Sequence, residues 1–349
     1  MNSDGSLQVT FVPELFLQRQ AAVLDVLRRE RVTRVLDVGC GSGALLACLQ
    51  EPAQLAPSCA HDKRLNTETD IYLSRLDGLD IDDYSLKNAA EDLAQRVRVE
   101  NGADRWSNYS RNRWNALEVN LWHGSLADVN PAFVDEFEAI VAQEVIEHLP
   151  PEVLPQFAPV LLGQYRPRVL IVTTPSFDFN ERFSKPGCDS GKGFKDPTGR
   201  TNRVFRHHDH KLEFTRAEFK QYCDAEAQKY GYSVDVQCIG RAQEPDPFSS
   251  ERSGDLGGAS QVAVFTRLET LPARVCMPIS SNPHKLLARE RLAEKSLSSH
   301  RSPDDLLGGV KDTLRQLNEN ECTLHSLWYH TDLAPACNGD IGLLLDALE

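Results

Sequence analysis

Residues 34–49 read RVLDVGCGSGALLACL, and this stretch decides the fold. An apolar run that ends at Val38 predicts a buried strand, and the segment from Ala44 predicts a helix, with closely spaced glycines between them. Glycine lets the backbone approach a ligand because no Cβ stands in the way. In open parallel sheets, ligands bind at the carboxyl ends of the strands. We therefore predict a ligand-binding loop that is made by Asp37, Gly39, Gly41 and Gly43.

Further strand-like runs follow this loop, and helical stretches lie between most of them. These runs cover residues 71–82, 119–126, 137–143, 168–174, 232–240 and 260–267. Strands that alternate with helices form a parallel sheet, and the last two runs can close it as an antiparallel end. The pattern predicts an α/β fold with a seven-stranded, mostly parallel sheet. An amphipathic helix from Leu15 to Leu27 is expected to pack on this core and to approach the ligand site.

The pattern changes after Arg267, which divides the chain into two predicted regions. Residues 1–267 form the main domain, and residues 268–349 form a C-terminal helical extension whose role the sequence does not indicate. Helical segments are predicted at residues 285–295, 302–317 and 340–348. Ser302 is a good helix start because it is followed by a proline and by acidic residues near the positive end of the helix dipole.

Composition limits the partners and the compartment. The formal net charge of −13 excludes a protein that coats nucleic acid non-specifically, so any contact with a polyanion must be local. Residues 182–211 are rich in Lys and Arg and are the candidate place, although a solvated basic loop is the other reading. The nine cysteines include no C-x-x-C pair, which disfavours a zinc ribbon. Without a signal peptide or a membrane-spanning run, we expect a cytoplasmic monomer that contacts no membrane.

Two further positions are candidates for contacts with the same ligand. The second predicted strand ends in Gly78-Leu79-Asp80, which places a carboxylate where it can accept hydrogen bonds from a ribose diol. Asp82 is the fallback for this role, and the alternative is that Asp80 caps the following helix. After the third predicted strand, Ser125 and Asp128 are candidates for contacts with an adenine ring. The glycine-rich loop alone could equally serve a dinucleotide.

The fourth predicted strand leads into the sequence EVIEHLP at residues 144–150. If a helical turn starts there, Glu144, Glu147 and His148 stand at positions i, i+3 and i+4 and project on one side. Two carboxylates and an imidazole that converge at a strand end make a reasonable metal site. The motif is also typical of small-molecule O-methyltransferases of the quinone-biosynthesis type, and on its own it does not separate the two readings.

The D-x-G-x-G-x-G loop, with an acidic end to the next strand, resembles the Rossmann-like methyltransferases that use S-adenosylmethionine. The resemblance covers roughly residues 34–267 and implies S-adenosylmethionine as the cofactor. Asp37, Gly39, Gly41, Gly43, Asp80 and Ser125 are then its binding residues. The loop lacks a phosphate-binding lysine, which disfavours a P-loop nucleotide enzyme.

Four further segments resemble the catalytic domain of the small-RNA 3′-end 2′-O-methyltransferases in their short animal or fungal form. They are FVPELFLQR at 11–19, LWHGS at 121–125, TPSFDFN at 174–180 and FRHHDHKLEFTRAEF at 205–219. The D-H-K-x-E-x-T-R core of the last segment is the most specific part. Ser176 and Phe214 depart from the family pattern, which commonly shows Asn and Trp at those positions.

By this resemblance, His210 joins Glu144, Glu147 and His148 as ligands of one divalent cation, Mg²⁺ or Mn²⁺, and His148 and His210 act in catalysis. His207 and His208 are then nearby but are not ligands. The implied partner is the 3′ end of a small RNA, either single-stranded or presented by an Argonaute-type or Piwi-type protein. The implied reaction is methyl transfer to the 2′-hydroxyl of the terminal nucleotide, which protects the RNA in silencing.

The proposed ligand set also suits this substrate on chemical grounds. Four protein ligands leave two positions on a six-coordinate cation, and a ribose with free 2′ and 3′ hydroxyls can fill both. A catechol-like diol can do the same, so a small-molecule O-methyltransferase remains the leading alternative. A catalytically silent cofactor-binding scaffold is the alternative from a different class of protein.

Overall fold

A computed structural model describes most of the chain, and its centre is a single mixed sheet. The described residues are 7–61, 64–65, 70–100, 113–187, 193–252, 254–274, 277, 284–292, 302–318, 320–330 and 332–349. The strands are β1 (Arg34–Val38), β2 (Arg75–Asp80), β3 (Leu117–His123), β4 (Ala139–Gln143), β5 (Val169–Pro175), β6 (Phe194–Lys195), β7 (Val204–Phe205), β8 (Tyr232–Ile239), β9 (Ser260–Arg267) and β10 (Lys285–Leu292).

Eight of these strands form the main sheet in the order β10-β3-β2-β1-β4-β5-β9-β8. The five strands from β3 to β5 run parallel, whereas β9 and β8 close one side as antiparallel strands. Strands β6 and β7 form a separate two-stranded hairpin. All seven strands that the sequence predicts are present in the main sheet, and the predicted Rossmann-like α/β class is confirmed.

The helices lie on both faces of the sheet and in the C-terminal region. They are α1 (Leu15–Arg29), α2 (Ala44–Leu49), α3 (Asp83–Glu100), α4 (Arg216–Tyr230), α5 (Pro303–Leu317), α6 (Leu324–His330), α7 (Leu333–Ala336) and α8 (Ile341–Leu348). In the part of the chain that the structure describes, none of the helices combines the length and the apolar character that crossing a bilayer requires.

Two apolar clusters cover the two faces of the sheet and hold its centre in place. One includes Phe133, Tyr165 and Phe219, and the other includes Leu27 and Leu46 of α1 and α2. Every residue of β5 is buried, as is expected of a strand that is covered on both faces. These clusters fix the carboxyl ends of β1, β2 and β4 relative to one another, and the candidate site lies there.

The eighth strand corrects one prediction. Residues 285–295 are predicted as a helix, but Lys285–Leu292 form β10, which pairs antiparallel with β3 from Lys285↔His123 to Leu292↔Leu117. The residues KLLARERL are good helix formers, and the tertiary context overrides that preference because β3 would otherwise be an open sheet edge. The sheet therefore has one strand more than predicted.

The remaining C-terminal helices form a small cluster of their own. Helix α5 begins as predicted, since the Ser302 side chain accepts a hydrogen bond from the Asp305 backbone N–H and Asp305 returns it in a capping box. The cluster includes Trp328 and Leu344 together with Trp114, which lies three residues before the start of β3. The proposed domain boundary at residue 267 stays a prediction. Strand β10 lies after this boundary but belongs to the main sheet.

Candidate active site

The glycine loop, residues 39–43, connects β1 to α2 and has the backbone conformation that glycine favours. Gly39, Gly41 and Gly43 have φ values of 72°, 53° and 86°. A Cβ on Gly39 would lie 2.5 Å from Val145 Cγ2, so the loop packs against the turn that follows β4. A Cβ on Gly41 would meet nothing within 4 Å, which leaves open space beside the loop for a ligand.

Asp80 holds the glycine loop in place at the end of β2. Its Oδ2 accepts a 2.7 Å hydrogen bond from the Gly41 backbone N–H, and its Oδ1 accepts one of 2.8 Å from the Asp82 N–H. The helix cap is instead Asp82, whose carboxylate accepts hydrogen bonds from the Tyr84 and Ser85 backbone N–H groups. The capping alternative for Asp80 is therefore wrong, and its contact with a ribose diol stays a prediction.

Asp37 lies beneath the loop and is almost fully buried. Burial, with a further contribution from the nearby Asp80 charge, raises the pKa of Asp37 to about 8. A carboxyl group in this position holds a proton near neutral pH in the cofactor-free protein. A cationic group of a bound ligand beside Asp37 would favour its charged form.

Ser125 lies after β3 and is braced by β10, which the sequence reasoning missed. The Ser125 Oγ accepts a hydrogen bond from the Ala127 backbone N–H, and the Ser125 carbonyl accepts one of 2.9 Å from His284 Nε2. The other ring nitrogen of the buried His284 lies 3.2 Å from Asn130 Nδ2. His284, which directly precedes β10, thus fixes the loop for which an adenine contact is predicted.

The carboxylate–imidazole cluster consists of Glu147, His148 and His210. One potential ligand atom from each of the three lies within 4.8 Å of the others. A short helical turn over Ile146–His148 supplies the first two, as the EVIEHLP motif predicts. The backbone N–H groups of Lys211 and Leu212 donate to the Glu147 carbonyl at 2.7 and 3.1 Å, which brings His210 to this turn.

The carboxylate of Glu147 shows that this cluster fits a cation. It is 1% exposed; Oε2 accepts a hydrogen bond of 2.9 Å from Thr174 Oγ1, whereas Oε1 is buried without a partner among the described residues. Burial, with the neighbouring Glu144 charge, raises the pKa of Glu147 well above its ordinary value. A buried acceptor without a partner is costly, and a bound cation would satisfy it.

Glu213 orients His210, and the sequence reasoning did not assign it this role. Its Oε1 lies 2.6 Å from His210 Nδ1, and its Oε2 accepts a hydrogen bond from Asn180 Nδ2. This pairing leaves Nε2 of His210 as the ligand atom, in the arrangement by which carboxylates commonly fix metal-binding histidines. The glutamate belongs to the D-H-K-x-E-x-T-R core, and its fixed spacing from His210 was the available signal.

Glu144, the remaining predicted ligand, is not brought into this cluster. Its Oε2 lies 2.9 Å from Arg19 Nη1 of α1, and its Oε1 accepts a 3.0 Å hydrogen bond from Thr173 Oγ1. The backbone of Glu144 has a φ of 55°, an uncommon value for a residue other than glycine. Its role as a ligand stays a prediction, and in this structure it anchors the opening helix to the site.

The basic segment at residues 182–211 contains two kinds of arginine: those whose side chains hydrogen-bond to other parts of the chain, and one whose side chain makes no hydrogen bond to a described residue. The Arg182 guanidinium donates to the carbonyls of Glu244 and Pro245, and Arg203 forms two hydrogen bonds with Glu218. Burial lowers the pKa of Arg206, whose side chain makes no hydrogen bond or ion pair with any described residue. Part of the segment, residues 188–192, lies outside the described residues.

The two departures from the family pattern are adjacent in the structure. Ser176 and Phe214 form an isolated β-bridge. The Ser176 hydroxyl is buried without a partner among the described residues. It therefore does not reproduce the hydrogen bonds that the longer asparagine side chain of the family pattern could make. Phe214 stacks on Tyr222 with 5.5 Å between the ring centroids, which keeps an aromatic packing role at this position.

The chain is similar to known proteins that share one name. The small RNA 2′-O-methyltransferase of Drosophila melanogaster is 26% identical over 283 residues, which are 79% of this chain and 60% of that protein. The protein of the same name from Xenopus tropicalis is 31% identical over 257 residues, 74% of this chain and 56% of that protein. No family model matches the chain.

The fold gives the same result. The crystal structure of small RNA methyltransferase HEN1 superposes with a TM-score of 0.55 at 26% identity, covering 81% of this chain and 28% of that one. This chain thus spans only part of the length of the relatives it matches. The matched regions confirm the resemblance that the site motifs indicate: over about three quarters of its length, the chain is similar to small RNA 2′-O-methyltransferases.

Proposed function

We propose that this chain transfers a methyl group from S-adenosylmethionine to the 2′-hydroxyl of the 3′-terminal nucleotide of small RNAs, with the help of a divalent cation, and so protects these RNAs in silencing. The observation that carries the proposal is the buried Glu147 oxygen that has no partner among the described residues, next to His148 and His210 and on the turn that packs against the glycine loop. The names of the relatives support the substrate class.

The cofactor half of the reaction depends on the glycine loop and on Asp80. The open side of Gly41 admits the ligand, and the Asp80 carboxylate accepts hydrogen bonds from its ribose. The contact between Gly39 and Val145 couples the loop to the turn that bears Glu147 and His148. A cofactor in the loop and a substrate at the cluster are then neighbours, which is the arrangement that methyl transfer between them needs.

The substrate half depends on Glu147, His148 and His210, which would hold Mg²⁺ or Mn²⁺. The cation, when bound, supplies a Lewis acid that favours loss of the proton from the terminal diol. Burial and the nearby His210 lower the pKa of His148, so its ring is neutral near pH 7 and offers the lone pair of one nitrogen to the cation. The 2′-hydroxyl proton passes to water. The 2′ oxygen then forms its bond to the methyl carbon as the carbon–sulfur bond breaks, and S-adenosylhomocysteine leaves.

The partner that presents the RNA end belongs to the same proposal. The RNA reaches the cluster either as a single strand or as an end held by an Argonaute-type or Piwi-type protein. The unpaired guanidinium of Arg206 beside the cluster favours a phosphate-bearing substrate over a catechol, which carries no anion to match it.

The proposal is tested with labelled S-adenosylmethionine and short RNAs that differ only at the 3′ end. RNA with a free terminal diol should be methylated, whereas 2′-deoxy and 3′-phosphate ends should fail because neither presents both hydroxyls. Chelation of divalent cations should stop transfer, and adding back Mn²⁺ or Mg²⁺ should restore it. Equal transfer to the 3′-phosphorylated RNA, or transfer to a catechol but not to RNA, would contradict the proposal.

A further inference from the structure

Arg206 differs from the other arginines in its segment because its guanidinium forms no hydrogen bond or ion pair with a described residue and contacts only an aromatic ring. It follows β7 directly, and its backbone N–H donates to Glu213 Oε1 at 2.8 Å. Its guanidinium carbon lies 5.6 Å from the centre of the Phe183 ring. The side chain is only partly exposed, yet it makes no hydrogen bond or ion pair within the described parts of the chain.

The carboxylates near Arg206 are already engaged, so its charge is not used to neutralise them by contact. Glu144 pairs with Arg19, and Glu213 binds His210 and Asn180. The backbone of Arg206 nevertheless lies beside the carboxylate–imidazole cluster, because its N–H donates to the same Glu213 oxygen that contacts His210. The guanidinium N–H groups of Arg206 have no acceptor among the described residues, and an incoming anion would supply one.

The chemistry of the proposed substrate identifies the anion. The terminal ribose itself is neutral, and the negative group nearest to its two hydroxyls is the phosphodiester that joins it to the preceding nucleotide. Arginine binds phosphate oxygens through two parallel N–H groups, which fixes the orientation of the phosphate as well as its position. A cation in the cluster would make the surroundings more positive, which strengthens the preference for an anionic group beside Arg206.

We infer that Arg206 binds the last phosphodiester of the RNA and so sets the distance between the chain and the terminal diol at the cluster. The inference rests on the proposed function, since it assumes that an RNA 3′ end enters this site. By this inference, the protein recognises the last phosphodiester linkage of the RNA as well as the terminal diol. The remaining phosphates contribute through exposed cations of the hairpin, such as Lys195.

The test uses the full chain and two RNAs of equal sequence with free terminal diols. In one RNA the last linkage is an ordinary phosphodiester, and in the other it is an uncharged methylphosphonate. Arg206→Met removes the charge and keeps most of the apolar stem, whereas Arg206→Lys keeps the charge without the two-pronged geometry. Arg200→Met is the matched control, because Arg200 lies on the same hairpin and donates to Thr198 Oγ1 and to the Lys211 carbonyl.

Affinity is measured by fluorescence anisotropy, with methyl transfer as a second readout. Wild type should bind the phosphodiester RNA about tenfold more tightly than the methylphosphonate RNA, the size expected for a hydrogen bond to a charged group. Arg206→Met should lose that preference, Arg206→Lys should keep part of it, and Arg200→Met should keep it all.

Two results would overturn the inference. One is a wild type that does not distinguish the two linkages, and the other is an Arg206→Met variant that weakens both RNAs equally, as a purely structural role predicts. Unchanged melting temperature and S-adenosylmethionine affinity show that the variant is folded. A wild type that binds with the expected preference but methylates no RNA end would contradict the proposed function and leave the phosphate contact standing.

Discussion

The glycine loop and the carboxylate–imidazole cluster meet at one edge of the sheet, but their polar groups are satisfied in different ways. In the loop, the backbone N–H groups of Gly39, Gly41 and Gly43 all have acceptors within the protein. In the cluster, a buried oxygen of Glu147 has none among the described residues. The hydrogen bonds of the loop backbone are therefore formed before a ligand binds, whereas the buried Glu147 oxygen gains a partner only when a ligand binds to the cluster.

This difference predicts separable effects. Changes in the cluster should weaken metal binding and leave cofactor affinity intact, while changes in the loop should weaken cofactor binding and leave metal binding intact. Val145, which touches Gly39, is the point at which the two halves are in contact.

The largest effect is expected for His210→Ala. Removing this ligand should lower methyl transfer at ordinary metal concentrations by more than about a hundredfold, since even outer partners of metal ligands are worth ten to a hundredfold. Calorimetry should show nearly unchanged S-adenosylmethionine affinity. His207→Ala is the matched control and should be mild, because His207 is exposed and lies outside the cluster. Near wild-type turnover of His210→Ala would remove the basis for the ligand assignment.

A smaller effect is expected for Glu213→Gln, which weakens the orientation of His210. The metal concentration that gives half-maximal turnover should rise roughly ten to a hundredfold, and excess metal should restore the rate because the ligand itself remains. Glu218→Gln is the control, since that carboxylate binds Arg203 and touches no member of the cluster. A loss of turnover that excess metal does not restore would contradict an orienting role.

In the cofactor half, Asp80→Ala should weaken S-adenosylmethionine binding by about ten to a hundredfold, the range for losing a charged hydrogen-bond acceptor. The variant also frees the Gly41 N–H that Asp80 holds. Asp82→Ala should cost about 1 kcal/mol of stability through the lost helix cap and leave affinity almost unchanged. Equal losses of affinity in the two variants would mean that the ribose assignment of Asp80 is wrong.

The last prediction concerns stability and not activity, because burial raises the pKa of Asp37 to about 8. Above pH 4 the unfolded chain releases this proton and the folded one does not, so the stability of the cofactor-free protein falls as the pH rises from about 4 to about 8. Asp37→Asn lacks this penalty. Thermal melts of both proteins should show an advantage for the variant that grows over that range and then levels off; a constant difference would contradict the shifted pKa.

Much of the fold was predictable because the relevant signals are local. The glycine spacing at residues 39–43, the apolar strands and the turn at residues 144–150 each follow from neighbouring residues. What the sequence reasoning missed depends on distant partners. The pairing of Glu144 with Arg19 and the strand conformation of residues 285–292 are both set by contacts with segments far along the chain. Local propensity carries no information about such partners.

Strand β10 has a consequence for the order of events during synthesis. The ribosome releases β3 long before Lys285–Leu292, so that edge of the sheet stays open while most of the chain emerges. His284, which holds the Ser125 loop, arrives with the same late segment. A nascent chain therefore contains the glycine loop early but gains the brace on its proposed adenine contact only after His284 has emerged. The brace on this loop is thus added after the parallel strands of the sheet have been synthesised.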